Sequence, residues 1–213
     1  MSILSIRSAE AITQAVDLIR AGELVIIPTD TIYGIATLPE NQEAITHLYE
    51  VRNRSPEPAM PFLIAGRKVM PKLARINRAA LRLARRFWPG ALTLVLPPCA
   101  EIATIFKTHP IALRVPNYPD LVPLLEAVGG YLFTSGAICS GYPPAITAQE
   151  AADLFGDQVA LILDGGPSPF GIPSTIVDCI SQPPTILRRG VIPEEKIWDA
   201  LNMPAPDSDT VNA

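Results

Sequence analysis

Arginine and hydroxyl side chains carry most of the chemistry this sequence offers, because the usual nucleophiles and bases are scarce. Only two histidines occur, His47 and His109, and the three cysteines, Cys99, Cys139 and Cys179, stand 40 residues apart with no CxxC pair. A structural zinc site needs about four closely spaced ligands, so no Cys/His metal site is expected. The chain has no GxxxxGKS/T, no GxGxxG and no GxSxG. Any nucleotide site is therefore neither a P-loop nor a Rossmann site, and a hydrolase elbow is missing. A polar loop, Thr29-Asp30-Thr31, follows the first apolar run. In open α/β sheets ligands bind beyond the C-terminal ends of strands, although an ordinary polar turn reads the same way. Arg52 and Arg54 leave a helix at i and i+2, a spacing that can clamp phosphate oxygens or merely complement the helix terminus. Arg114 sits in the apolar run Ile111–Val115, Ser174 follows the Gly/Pro-rich loop 165–173, and Arg188 ends the run Thr185–Leu187. Arginines at several strand ends, with hydroxyls from two loops, suit an anionic ligand.

Alternating strands and helices must bring these residues together. Ser8 caps a helix with apolar positions Ile12, Ala15, Val16 and Ile19, stopped by Gly22. Strands are predicted at 24–27, 62–64, 92–96, 111–115, 131–134, 159–163, 174–178 and 185–187. Helices are predicted at 41–51, 73–87, 121–127 and from Thr147 to about Phe155, where Thr147 and Glu150 form a capping box. The pattern predicts one α/β domain over 1–203, with a twisted mixed sheet, flanking helices and a concave face lined by strand ends. Residues 204–213 read as a frayed tail.

Composition sets outer limits. The 213 residues are 48% hydrophobic and 18% charged, with a net charge of −4, which excludes wholesale disorder. Pro is 23 of 213, too frequent for an all-helical bundle. No apolar run approaches the ~20 residues that span a bilayer, and the N-terminus does not read as a signal peptide, so a cytoplasmic location without membrane contact is expected. The charges are unevenly spread. No acidic residue falls between Pro58 and Ala100, yet Arg67, Lys68, Lys72, Arg75, Arg78, Arg82, Arg85 and Arg86 do, eight of 17 basic residues. A solvated helix face and a phosphate-backbone patch over 67–86 both fit that pattern.

The segments PTDTIYGIAT (28–37), YEVRNR (49–54), FWPGALTLVLP (87–97), IALRVP (111–116), LDGGPSPFGIPSTIVD (163–178) and PPTILRRG (183–190) occur in an order that resembles the YrdC-like family of threonylcarbamoyl-AMP synthases. The resemblance runs over about residues 8–198. It implies a YrdC/RibB-like fold and an enzyme, a nucleotidyltransferase. Its substrates would be L-threonine, bicarbonate and ATP, its products threonylcarbamoyl-AMP and pyrophosphate, with Mg²⁺ entering on ATP. A tRNA threonylcarbamoyl transferase complex would then carry the group to tRNA. Residue by residue, Thr31, Arg114, Thr134 and Ser174 match positions for L-threonine. Arg52, Arg54, Ser140 and Arg188 match positions near ATP, with Arg52 and Arg54 in the catalytic role. On this resemblance Arg114→Ala is expected to weaken threonine binding while sparing the fold.

The sequence also departs from the family pattern. Arg52-x-Arg54 stands for Lys-x-Arg, and Gly136-Ala137-Ile138-Cys139-Ser140-Gly141 stands for Ser-Ala-Asn-x-Ser-Gly. Pro58, Pro144 and Pro173 replace polar residues. Lost hydrogen bonds at Gly136 and Ile138 would weaken ATP binding. A catalytically altered relative that binds nucleotide, tRNA or double-stranded RNA therefore stays open as the alternative.

Overall fold

The computed structural model describes residues 1–53, 55, 59–105 and 109–202. In chain order the elements are β1 (Ser2–Ser5), α1 (Ala9–Arg20), β2 (Val25–Ile27), β3 (Gly34–Thr37), α2 (Gln42–Val51), β4 (Met60–Ile64) and α3 (Met70–Leu73). Next come α4 (Arg78–Phe87), β5 (Leu92–Leu96), α5 (Ala100–Ile105), β6 (Ile111–Arg114), α6 (Val122–Ala127) and β7 (Tyr131–Gly136). The last are α7 (Ala148–Phe155), β8 (Leu161–Asp164), β9 (Thr175–Asp178), β10 (Thr185–Arg188) and α8 (Glu194–Leu201). The strands form one sheet in the order β1-β8-β2-β3-β7-β4-β6-β5-β9-β10. Pairs β1/β8, β2/β8, β4/β6 and β5/β9 are parallel, and the other five are antiparallel. The sheet is thus mixed, as the sequence predicts. Among the described residues no helix is long and apolar enough to cross a membrane. The tail 204–213 lies outside the described residues.

Strand alternation sorts the core into two layers. Ile26, Ile35, Phe62, Ile64, Leu92, Leu94, Leu96, Ile111, Leu113, Phe133 and Val177 point to one face. There they pack against α2, α3, α4, α7 and α8 through Leu48, Leu73, Leu83, Phe155 and Trp198. On the other face Val25, Ile27, Ala36, Leu161 and Leu163 pack against α1 and α6 through Ala15, Ile19, Leu124 and Leu125. The first layer runs the length of the sheet. The second covers chiefly the end built from β1, β8, β2 and β3.

Local sequence explains most boundaries. Ser8, Asn41, Asn77 and Thr147 each accept from a backbone N–H three residues on, starting α1, α2, α4 and α7. The predicted helix 73–87 is broken. Ala74 is extended and bridges Pro98, and the Asn77 cap restarts the helix at Arg78. The box at Thr147 is also modified, because the Glu150 carboxylate accepts from Ile146 N (2.7 Å). Sequence reading missed β1, β3, α5, α8 and all of α3 except Leu73. The strands β1 and β3 are four residues each and adjoin turns, so periodicity has little to register.

Candidate functional site

The uncovered half of the second face is a cleft of about 600 Å³. Its floor comes from the strand positions that alternate with the core. These are Gly34 of β3, Thr134 of β7, Pro61 and Leu63 of β4, Ala112 and Arg114 of β6, Thr93 and Val95 of β5, and Ile176 of β9. The expectation of a site at strand ends describes Gly34, Arg114, Gly136 and Arg188 but not the whole floor. Much of the floor is mid-strand, exposed because the helix layer stops short of it. A depression of similar size along α1 is lined by Glu10, Thr13, Gln14, Asp17, Leu18 and Ala21 and contains no cation.

Arg114 anchors one end of the cleft at 7% exposure. Its Nε–H donates to Gly90 O (3.1 Å), Nη1 to Thr31 Oγ1 (2.6 Å), and Nη2 to Asp30 Oδ1 in a buried ion pair. Three of the five guanidinium N–H groups are thereby engaged, and two remain for a ligand. Burial lowers the Arg114 pKa; Asp30 acts against that shift, and nearby Arg188 adds to it. The Thr31 hydroxyl is equally constrained. Thr29 gives its proton to Ile32 O (2.6 Å), so in the 3.0 Å Thr29–Thr31 contact Thr31 must donate. With its proton committed and Arg114 on one lone pair, Thr31 can only accept from a ligand.

Ser174 sits just before β9, where its Oγ lies 2.8 Å from Thr93 Oγ1. Arg188, at the end of β10, donates to Ser174 O through Nε and Nη2 (3.1 and 2.9 Å) and to Ser174 Oγ (3.1 Å). Gly190 presses its backbone onto this turn, and a Cβ there would collide with Pro173 O and with the Ser174–Thr175 peptide. Arg52 caps α2, is 2% exposed, and donates through Nη1 to Ser135 Oγ on β7. Its carbonyl accepts from Ser140 N (3.2 Å), tying segment 136–142 to the helix end.

Thr31, Arg52, Arg114, Thr134, Ser174 and Arg188 all line the cleft. Ser140 does not. It is exposed, and its backbone rather than its hydroxyl meets Arg52. Arg54 and Pro58 lie outside the described residues. Gly136, Ile138 and Pro173 line the cleft, whereas Pro144 does not. Gly136 ends β7 without a left-handed backbone, and a Cβ there would meet Ile32 Cδ1 at 2.8 Å. The expectation that Arg114→Ala spares the fold is also corrected, because it would strand a buried carboxylate. Sequence reasoning did not assign Asp30, Thr93 or Ser135. Asp30 stood inside the quoted loop, and it meets Arg114, 84 residues away in sequence, only in the folded sheet.

Comparison with known proteins identifies the family. The sequence profile of the Sua5/YciO/YrdC family, described as telomere recombination, matches residues 17–190. A Mycobacterium tuberculosis protein is 35% identical over 200 residues, 92% of either chain. The threonylcarbamoyl-AMP synthase of Chromohalobacter salexigens is 33% identical over 177 residues, 80% of this chain and 94% of its own. The crystal structure of Pyrococcus abyssi Sua5 complexed with L-threonine superposes with a TM-score of 0.86 at 31% identity. That match covers 94% of this chain, which spans only 61% of the archaeal protein. By profile, sequence and architecture, the chain belongs to the Sua5/YciO/YrdC family.

Proposed function

We propose that the chain is a threonylcarbamoyl-AMP synthase. The observation that carries this reading is the convergence of Arg52, Arg114 and Arg188 with Thr31 and Ser174 on one uncovered sheet face, with no histidine or cysteine among the lining residues. Such a site is equipped to hold two anions side by side and has little acid–base machinery. L-Threonine would place its carboxylate on the two remaining N–H groups of Arg114. Its amino or carbamate N–H would donate to Thr31, and Thr134 and Ser174 would flank it. The amine attacks bicarbonate, forming the N–C bond of a carbamate with loss of water. A carbamate oxygen then bonds to the α-phosphorus of ATP, and the bond to pyrophosphate breaks. Arg52, Arg54 and Arg188 would stabilise the phosphate charge, so catalysis is positioning plus electrostatics.

No group of three or more His, Cys, Asp or Glu that could hold a metal occurs among the described residues. Mg²⁺ would enter on ATP, held mainly by phosphates and water. The test is pyrophosphate release measured with each substrate omitted. Release that needs both L-threonine and bicarbonate supports the assignment, and release from ATP alone refutes it.

A cytoplasmic tRNA threonylcarbamoyl transferase complex would use the product. The basic segment supports contact with tRNA or another double-stranded RNA. Arg67, Lys68, Lys72, Arg75, Arg78, Arg82, Arg85 and Arg86 are all exposed. None forms an ion pair with a described residue. The α4 helix packs on Leu92, Leu94 and Leu96, while Thr93 and Val95 line the cleft. An RNA backbone on α4 would therefore lie across the sheet from the substrates and leave the cleft open.

A further inference from the structure

Thr93 carries the only hydroxyl on β5 and lines the cleft. Leu94 stands opposite Leu113 in the antiparallel β5/β6 pair, so Thr93 falls opposite Arg114. In the parallel β5/β9 pair Thr93 stands opposite Ile176, another cleft residue. Its Oγ1 meets Ser174 Oγ at 2.8 Å, and both residues are buried. Counting protons defines what this pair offers. Two hydroxyls carry two protons and four lone pairs. Their mutual bond uses one of each, and Arg188 Nη2 takes one more lone pair on Ser174 Oγ (3.1 Å). Whichever hydroxyl donates to the other, one proton and two lone pairs remain for a ligand. A carboxylate has no proton to give them, and an ammonium has no lone pair to receive theirs. A hydroxyl does both.

We propose that Thr93 is a specificity-determining residue of the amino-acid subsite, which together with Ser174 binds the side-chain hydroxyl of the substrate. This role rests on the threonine reading and deepens it by naming the group recognised beyond the part all amino acids share. The three polar substituents then have separate partners. The carboxylate takes the two open N–H groups of Arg114, the amino group donates to Thr31, and the hydroxyl joins a chain with Thr93 and Ser174. Carboxylate and hydroxyl are three bonds apart in a β-hydroxy amino acid, which matches partners on adjacent strands. The remaining methyl has Ile176, the cross-strand neighbour of Thr93, beside it. An amino acid with a methyl in place of the hydroxyl would leave the pair's spare proton and lone pairs buried without a partner. That penalty makes hydroxyl recognition sharper than methyl recognition.

Calorimetric titration of the full chain with L-threonine, its isostere L-valine and L-serine tests the assignment. Wild type is expected to bind L-valine about a hundredfold or more weaker than L-threonine. L-Serine, which keeps the hydroxyl and drops the methyl, should lie between them. Thr93→Val should weaken L-threonine about threefold to tenfold and leave L-valine unchanged or tighter, so the ratio of the two affinities falls by about tenfold. Thr93→Ser keeps the hydroxyl and should preserve the ratio. If Thr93→Val fails to fold, Thr93→Ala deletes the same hydroxyl and is expected to lower the ratio likewise. A structural role, or a hydroxyl pair committed to the carboxylate, would weaken both amino acids alike and leave the ratio unchanged, which overturns the proposal. So does wild type that binds L-valine within about threefold of L-threonine, or better than L-serine. If wild type binds none of the three, the threonine reading falls and hydroxyl recognition with it. Threonine binding with an unchanged ratio in Thr93→Val removes the role of Thr93 alone.

Discussion

Arg114→Ala tests the geometry of the cleft most severely, because it acts on fold and ligand together. The substitution removes three hydrogen bonds, to Gly90 O, Thr31 Oγ1 and Asp30 Oδ1. It also leaves Asp30 charged and buried. Breaking a buried pair by deleting one partner costs about 3–5 kcal/mol. Against a total stability of about 5–15 kcal/mol that is a large fraction. With a urea m-value near the upper end of about 1–3 kcal/mol/M for a chain of this size, the midpoint should fall by about 1–2 M. Arg114→Lys separates the two effects. The ammonium still neutralises Asp30 and limits the loss of stability, but a compact point charge cannot hold three partners and a carboxylate fork at once. Threonine binding, at about 1.5–3 kcal/mol for a charge-assisted bond, should drop about tenfold to a hundredfold in Arg114→Lys. The double change Asp30→Asn/Arg114→Gln should cost less than the sum of its parts, with a coupling of up to about 3 kcal/mol. Urea unfolding by circular dichroism and threonine titration supply the measurements. An Arg114→Ala midpoint within about 0.3 M of wild type, where 1–2 M is expected, would refute the buried pair as a structural element.

Gly136→Ser with Ile138→Asn should tighten ATP binding about fivefold to more than a hundredfold by calorimetry, from two hydrogen bonds of about 0.5–1.5 kcal/mol each. The gain requires the Ile32 tip to move aside, and unchanged affinity would mean other groups hold the nucleotide. Gly190→Ala should displace the Ser174 turn together with Arg188, which is bonded to it, costing about 1–3 kcal/mol of stability and weakening both threonine and ATP binding by calorimetry. Arg78→Glu/Arg85→Glu/Arg86→Glu should lower the magnitude of the salt slope of RNA binding by about 2–3, read by fluorescence anisotropy, with pyrophosphate release as the folding control. Burial pushes the Cys179 thiol up to about 12, so the folded chain keeps a proton that the unfolded chain releases near pH 9. Stability present below that point should decline as pH rises toward 12, and more in wild type than in Cys179→Ala.

Much of the fold was legible because the signals were local. Side-chain caps at Ser8, Asn41 and Thr147 start helices where the sequence predicts them, and the apolar runs at 92–96 and 111–114 are central strands. The break between α3 and α4 was not legible. The basic periodicity runs through Arg75 as if the helix were continuous, while the pairing of Ala74 with Pro98 depends on a segment more than 20 residues away. The cleft cations Arg52, Arg114 and Arg188 were visible as charges at the ends of apolar runs, where burial demands a partner. Their partners were not visible. Ser135 is 83 residues from Arg52, and Asp30 is 84 from Arg114.

The site's position follows from the same division between local and long-range information. Each strand reveals that alternate residues face opposite sides, but not which side a helix covers. In β5 the sequence shows Leu92, Leu94 and Leu96 alternating with Thr93 and Val95. Only the topology shows that α4 takes the leucines and that no described helix lies over the threonine. The polar residue on that strand therefore reads as a substituent of a buried sheet in the sequence and as the cleft floor in the structure. Thr134 in β7 and Arg114 in β6 share that origin. A helix placed over these strands would bury the two unengaged N–H groups of Arg114 without a partner, at a cost of several kcal/mol for a charged donor. The uncovered sheet face and the polar residues beneath it thus explain each other. What fits there must bring its own oxygen acceptors for Arg114 and a donor for Thr31, as an amino acid does.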